Sequence, residues 1–414
     1  MKAIDNMRAK VAAWPYALLS VTAAVAAFGA YTSMYAFRKA YAAGTFTGQQ
    51  YLHVDYKVWL VIAQIIGYTL SKFYGIRFIA EIKDKRGLTI LVLVGISWLA
   101  LLGFALVPAP YNIIFLFING FPLGLIWGLV FGYLEGRKST EFMAAVLSIS
   151  LIFASGFVKT VGRTLLHNLP VNDFQMPFLM GAIFAVPLML FVFFLELIPR
   201  PTAEDIKLRT KRVPMNATER KQFLQRFLPG IILTLIIYVL LTVMRDVRDN
   251  FEVEIWASLG VKGNLIYTTT DTKISVIVLV AVSLLILVRK NLVAFSIIHL
   301  LIIGGCILIG ASTILFALKM ISPTLWMTIT GLGLFLGYVP YNAIFFERMI
   351  ATFHCRGNVG FLIYVADSLG YLGSISLLLV KEFVRPGISW GNFFKEGVVF
   401  VATIGGICAV LSLI

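Results

Sequence analysis

Charge is scarce in this sequence. Asp, Glu, Lys and Arg make up 13% of the 414 residues, while 59% are hydrophobic. A water-soluble domain carries roughly 25% charged residues, so a soluble fold is excluded and a polytopic membrane protein is implied. Cysteine is nearly absent. Cys306, Cys355 and Cys408 lie far apart, in or beside apolar runs, with neither CxxC nor His/Cys ligand spacing. No disulfide framework and no metal site are therefore expected. No nucleophile–base pair, metal spacing or phosphate loop is visible, so catalytic residues and a cofactor are not expected either. Acid is short relative to base, with 20 Asp and Glu against 35 Lys and Arg, a net charge of +15. In so apolar a chain the excess reads as basic cytoplasmic loops rather than a nucleic-acid surface.

Long apolar runs are what the sequence has in quantity. Windows of about 20 residues place spans near 15–38, 57–80, 88–107, 111–134, 141–166 and 174–197. After a polar stretch come 226–249, 272–289, 292–318, 323–347, 356–381 and 393–414. The N-terminus imitates a signal peptide, but its apolar stretch continues and eleven more follow, so it is read as the first span. Lys and Arg collect in 1–13, 81–87, 136–140 and 200–226, and recur at Arg289, Lys290, Arg348 and Arg356. The loops at 108–111 and 167–173 hold none. The positive-inside rule then puts both termini in the cytoplasm of a multi-pass plasma (inner) membrane protein. The one long polar connection, 200–225, separates a six-span half at 1–199 from another at 226–414.

The halves look alike. Tyr31 and Arg38 are seven positions apart in span 1, as are Tyr238 and Arg245 in span 7. Asp55 and Lys57 open span 2, and Asp271 and Lys273 open span 8. Gly124 to Glu135 in span 4 matches Gly337 to Glu347 in span 10, with aromatic residues between. This parallel duplication of two six-helix bundles resembles the major facilitator superfamily, whose members bind substrate near mid-membrane. The expected fold is an all-α membrane protein of twelve transmembrane helices in two pseudo-symmetric bundles.

Several residues inside the spans carry chemistry. Gly120, Gly124, Gly128, Gly132 and Gly136 recur at a strict spacing of four, which predicts one small-residue helix face for close packing. Gly370 and Gly373 in span 11 are read in the same way. The turn AEIKDKRG (80–87) follows the superfamily's gate pattern, with Ala80 in the first glycine's place, then Asp84, Lys85 and Gly87. Glu135 with Arg137, and Glu347 with Arg348, end spans 4 and 10 as gate partners or as solvated helix ends. The gate turn itself has an equally plain reading as an ordinary basic loop.

Arg38 sits at the outer end of span 1, and deeper in the membrane sit Lys72, Lys159, Arg163, Arg245, Arg248 and Asp367. A charge at the bilayer centre costs about 2.5–3.5 kcal/mol on insertion scales, so each is a functional candidate. Two readings compete. The cations concentrate positive potential for an anion, which the planar fork of arginine grips bidentately. Alternatively, Asp246 and Asp249 neutralise Arg245 and Arg248 near the outer surface, Lys72 snorkels inward, and Arg38 lies at the interface and snorkels outward.

GAYTSMYAFRKAY (29–41), YTLSKF (68–73) and GYLGS (370–374) resemble signatures of the organophosphate:phosphate antiporters within that superfamily. The resemblance implies that Arg38 and Arg245 hold a substrate phosphate from opposite halves, with Lys72 as an accessory cation. The branch's span-5 histidine has no counterpart; Phe153 falls near its place and Lys159 about two turns on. The sequence thus predicts a secondary transporter of a small organic anion, plausibly phosphorylated, working by alternating access as a monomer. Arg38 and Arg245 clamp the anion, Lys72 and Lys159 add potential, and Tyr31, Tyr35, Tyr238 and Tyr341 shape the pocket. Phosphate or protons are the expected coupling species. The alternatives are a proton-coupled carrier of a different solute using Asp367 and a non-transporting receptor for an anionic ligand.

Overall fold

The computed structural model describes residues 2–81, 85–202, 205, 217–352 and 359–413. In chain order its helices are α1 (Lys2–Ala12), α2 (Tyr16–Lys39), α3 (Tyr56–Glu81), α4 (Arg86–Leu106), α5 (Ile113–Leu123), α6 (Ile126–Leu134), α7 (Thr140–Asn168) and α8 (Met176–Leu197). The second half supplies α9 (Ala217–Ser258), α10 (Ile266–Ile286), α11 (Asn291–Ala317), α12 (Pro323–Pro340), α13 (Phe346–Thr352), α14 (Val359–Val384), α15 (Trp390–Phe400) and α16 (Gly406–Leu413). A small antiparallel hairpin, β1 (Gln50–Tyr51) and β2 (Val54–Asp55), precedes α3. Among the described residues nine helices are long and apolar enough to cross a membrane. Helices α3, α12 and α14 occupy the other places where spans are predicted. The chain is thus an all-α, multi-pass membrane protein.

It divides into two compact units, Met1–Arg209 with Asn264–Thr269, and Thr210–Gly263 with Thr270–Ile414. In the first, α2 is rich in alanine, and Ala23, Ala26, Ala27, Ala30 and Ala36 are all buried. Small side chains let α7 and α8 approach closely, the packing that membrane helices use where hydrophobicity alone gives no drive to associate.

Span 4 departs from its expected single face. Pro122 has no amide hydrogen to continue the helical ladder, and α5 stops at Leu123 before α6 resumes at Ile126. Gly120 and Gly124 face α3: a Cβ at Gly124 would overlap Ser71 Oγ and come within 2.8 Å of the Tyr68 carbonyl. Gly132 instead meets the Arg86 guanidinium, and Gly136 lies beyond α6 with φ +85°, turning the chain. Gly120 and Gly124 therefore serve a helix contact, Gly132 an arginine contact and Gly136 a turn. In span 11, Gly370 meets Thr242 and Gly373 meets Val239 and Val243, so both let α14 pack on α9.

Where α2 tightens into 3-10 winding at Ala40–Ala43, its last carbonyls need donors from elsewhere. Asn119 Nδ2 donates to the Phe37 carbonyl (3.0 Å) and the Ser97 carbonyl (3.1 Å). Gln64 Nε2 donates to the Arg38 carbonyl and to Asn119 Oδ1 (2.8 Å). Ser97 Oγ donates to the Asn119 carbonyl (3.0 Å). Spans 2, 3 and 4 thus hold the backbone of Phe37 and Arg38. Lys57 Nζ caps the following turn at the Ala42 carbonyl (3.0 Å).

In the second unit, α9 is kinked at Phe251 (φ −119°, ψ 21°), whose ring stacks on Trp390 with centroids 3.5 Å apart. Helix α12 ends at Pro340 and passes through a π turn, Tyr341–Phe345, into α13.

Two outcomes follow for stability. Gly124→Ala lowers the thermal midpoint of the protein in detergent, and adding Ser71→Ala restores part of the loss, because only the hydroxyl overlap is removed. Equal midpoints for wild type and Gly124→Ala would show that α3 and α5 can part at no cost. Asn119→Leu strips donors from two buried carbonyls and costs on the order of 2 kcal/mol or more. The check is chemical or thermal denaturation, where an unchanged midpoint would remove the amide's structural role.

Candidate functional site

In the first unit the end of α2 carries Arg38 against the ring of Tyr68, with Cζ 3.9 Å from the centroid, and beside Tyr35 at 5.8 Å. Lys72 Nζ approaches the same Tyr68 ring at 5.3 Å. Tyr31 interacts with Tyr68, Arg38 and Lys72. Tyr31 and Tyr35 are buried, and Arg38 and Lys72 are partly so. The structure therefore brings Arg38, Lys72, Tyr31 and Tyr35 together, around a tyrosine that the sequence reading quoted only within a motif. A cation over a tyrosine face gains roughly 0.5–2 kcal/mol, more as water is excluded. Two cations on one ring also repel each other.

Lys159 lies elsewhere on α7, 1% exposed, with its ammonium donating to Ser155 Oγ (2.6 Å) one turn earlier. Phe153, in the place of the branch's histidine, packs against Phe28 and Phe157 (centroids 5.5 and 5.4 Å). Arg163 is not in the bundle interior as expected from sequence. It lines a cavity with the loops that follow α2 and α7.

The second unit repeats the stacking with different partners. Arg245 Cζ sits 4.0 Å from the Tyr338 ring centroid, and the guanidinium pairs with Asp246 at 2.6 Å. Ser374 Oγ donates to the other Asp246 oxygen (2.7 Å). Tyr238 packs on Tyr338 and Tyr341 (5.6 and 5.7 Å) and donates its hydroxyl to Asp367. Arg245, Tyr238, Tyr341 and Asp367 thus belong to one aromatic and ionic neighbourhood. Tyr68 comes from the second span of its half and Tyr338 from the fourth, so the internal repeat preserves the interaction but not the residue that supplies it.

Local neutralisation holds for Arg245 and takes another form for Arg248. Its guanidinium pairs with Asp271 at 2.6 Å and Glu252 at 3.4 Å, all three side chains being at most 1% exposed. Trp256 Nε1 donates to Glu252 (3.2 Å). The sequence offered Asp249 as the partner because it is adjacent. Helical geometry instead stacks positions i and i+4, and α10 contributes Asp271. Asp271 and Lys57, repeat markers in sequence, have structural work: one anchors Arg248, the other caps a turn.

Of the expected gate residues, Asp84 lies outside the described residues, as does the side chain of Glu347. Lys85 is exposed and begins α4 with φ 62°. The contacts of this turn are made instead by Arg86, which donates to the Gly132 carbonyl, and by Gly87, whose amide donates to Glu196 Oε1 (2.9 Å). Glu196 also accepts from Tyr133 and pairs with Arg8 of α1 (3.2 Å). Sequence reading missed Glu196; its signal was a lone acid near the end of span 6. Glu135 follows α6 as its C-cap. Arg137 is buried and donates to the Pro199 carbonyl, so it is not a solvated helix end. Burial pushes its guanidinium below the ordinary range, opposed in part by the Asp205 carboxylate and Tyr16. At Asp205 burial acts to raise the carboxyl, but hydrogen bonds from the Thr202 and Lys138 amides and the Thr202 hydroxyl outweigh it and hold it low. Arg348 donates to Asn291 Oδ1 (2.8 Å).

Known structures share this architecture. The D-xylose-proton symporter superposes with a TM-score of 0.61 at 13% identity, covering 94% of this chain and 97% of that one. A variant of the nucleoside transporter NupG gives 0.60 at 13%, covering 95% and 98%. The human organic anion transporter MFSD10 (TETRAN) gives 0.55 at 12%, covering 96% and 100%. At such identities the likeness establishes the fold, which is that of the major facilitator transporters. No curated protein matches the sequence significantly. A family model described as a family of unknown function, DUF5690, matches residues 40–414, a stretch that begins just after Arg38 and contains Tyr68, Lys72, Arg245 and Asp367. The chain belongs to that family, DUF5690.

Proposed function

We propose that this protein is a secondary transporter that carries a small organic anion by alternating access, with Arg38 and Arg245 as the residues that grip the anionic group. The observation that carries the reading is the sharing of the Tyr68 ring by Arg38 and Lys72. A carboxylate or phosphate placed among these groups matches the planar fork of a guanidinium and offsets the repulsion between two cations. The fold supports transport, since the xylose symporter, NupG and MFSD10 are transporters of a sugar, nucleosides and organic anions. Organic phosphates suit the arginine fork best, in keeping with the signatures around Arg38 and Lys72, and phosphate is then the natural exchange partner. For the ligand to drive the conformational cycle it must bind the closed state more tightly than either open one.

Counterflow in proteoliposomes tests this. Arg38→Ala and Arg245→Ala each reduce exchange of an organic phosphate or carboxylate by about tenfold or more, whereas Arg38→Lys retains part of it. Full exchange by both alanine variants would refute the assignment. A receptor that does not transport would bind such a ligand in detergent and show no counterflow.

A second reading, proton coupling, has its own observation: Asp367 is buried and accepts the Tyr238 hydroxyl. Carboxylates inside membrane spans mark ion pathways and proton relays. In this reading Asp367→Asn abolishes uptake driven by a proton gradient while leaving exchange intact. Gradient-driven uptake equal to that of the wild type would exclude Asp367 as the coupling group.

A further inference from the structure

Arg163 faces a cavity of about 550 Å³, within the range of small-molecule sites. The cavity lies in the first unit, walled by α7, the segment after α2, the loop between α7 and α8, and Asn264 of the segment before α10. Arg163 and His167 stand one helical turn apart on α7 and therefore point to one wall. Arg163 makes no hydrogen bond or ion pair among the described residues, so its five donors are available.

The facing walls are built rather than loose. Asp173 Oδ2 accepts from the amides of Thr45 (3.0 Å) and Phe46 (2.6 Å). Phe46 has φ 50°, a conformation that a bulky residue keeps only when its surroundings over-determine it. Its ring is wedged among Tyr56, Phe104 and Phe174, with centroids 5.8, 6.2 and 5.2 Å away. Asn172 Oδ1 accepts from the amides of Phe174 (3.0 Å) and Gln175 (2.9 Å), which sets the second loop. Asp173 puts an acid in the lining, but two backbone amides already hold one of its oxygens. The remaining polar lining is Arg163 and His167 with the neutral Thr47, Gln49 and Asn264, beside the apolar surfaces of Leu166, Val171 and Phe174.

We propose that this cavity is a second binding site, separate from Arg38, that takes a small amphipathic organic anion. Its carboxylate or phosphate is held by Arg163 and His167, and its apolar body lies against Phe174, Leu166 and Val171. The site does not require that the protein transport anything.

The test uses benzoate as probe and full-length protein carrying Arg38→Gln, so that failure of the central grip leaves the result untouched. Isothermal titration calorimetry should show saturable benzoate binding that Arg163→Gln weakens by about tenfold or more. Benzylamine, of similar shape and opposite charge, should not displace it. No saturable binding, equal displacement by benzylamine, or unchanged affinity in the Arg163→Gln protein would each overturn the proposal. Should Arg163→Gln fail to fold, Thr47→Cys in a Cys355→Ser background reads the same cavity without altering its charge. Benzoate is expected to slow modification of that cysteine by a maleimide, and an unprotected rate overturns the assignment.

Discussion

A bilayer offers no water to a backbone carbonyl, so wherever a spanning helix departs from regular winding the protein must supply donors of its own. At the end of α2 that demand falls on Asn119 and Gln64. Their amides draw three helices onto one turn of backbone, and that turn carries Arg38. Tyr68 follows Gln64 by one turn on α3, so the helix that ties down the arginine's backbone also offers a ring to its side chain. The aromatic and cationic cluster is a consequence of how the carbonyls were satisfied.

The second unit meets the same solvent problem with ions. Arg248, Asp271 and Glu252 form a group shielded from solvent that joins α9 to α10. Such a group stabilises little against an apolar alternative, but losing one member leaves a charge uncompensated where none is tolerated. It acts as a constraint on which helices pair. The kink at Phe251 lies within it, between Arg248 and Glu252, so the helix bends where its side chains are most firmly held.

Much of the architecture was legible in the residues, because twenty apolar positions in a row have few alternatives in a membrane. The helices fall where the apolar runs do, and the multi-pass fold follows. Pairings were less legible. Arg248 was matched with Asp249 by adjacency, when i+4 geometry and a second helix supply its carboxylates. The five spaced glycines suggested one face, but the helix that holds Pro122 stops at Leu123 and resumes at Ile126, so it is interrupted at the second of them. Tyr68 and Glu196 gave weak signals, since a tyrosine or a single acid near a span end is common, and only tertiary contact shows what each one meets. Arg163 looked internal because the span was set at 166, whereas α7 ends in a cavity walled by two loops.

Arg245 differs from Arg38 in holding a covalently tethered carboxylate from the next residue, fixed in turn by Ser374. Any incoming anion competes with a neighbour whose effective concentration never falls. In the proposed transport role that competition lowers the net affinity of Arg245 for an anion, since Asp246 reclaims the guanidinium as the visitor leaves. A site meant for storage would suffer from such a rival; a site that must empty once in every cycle gains turnover from it.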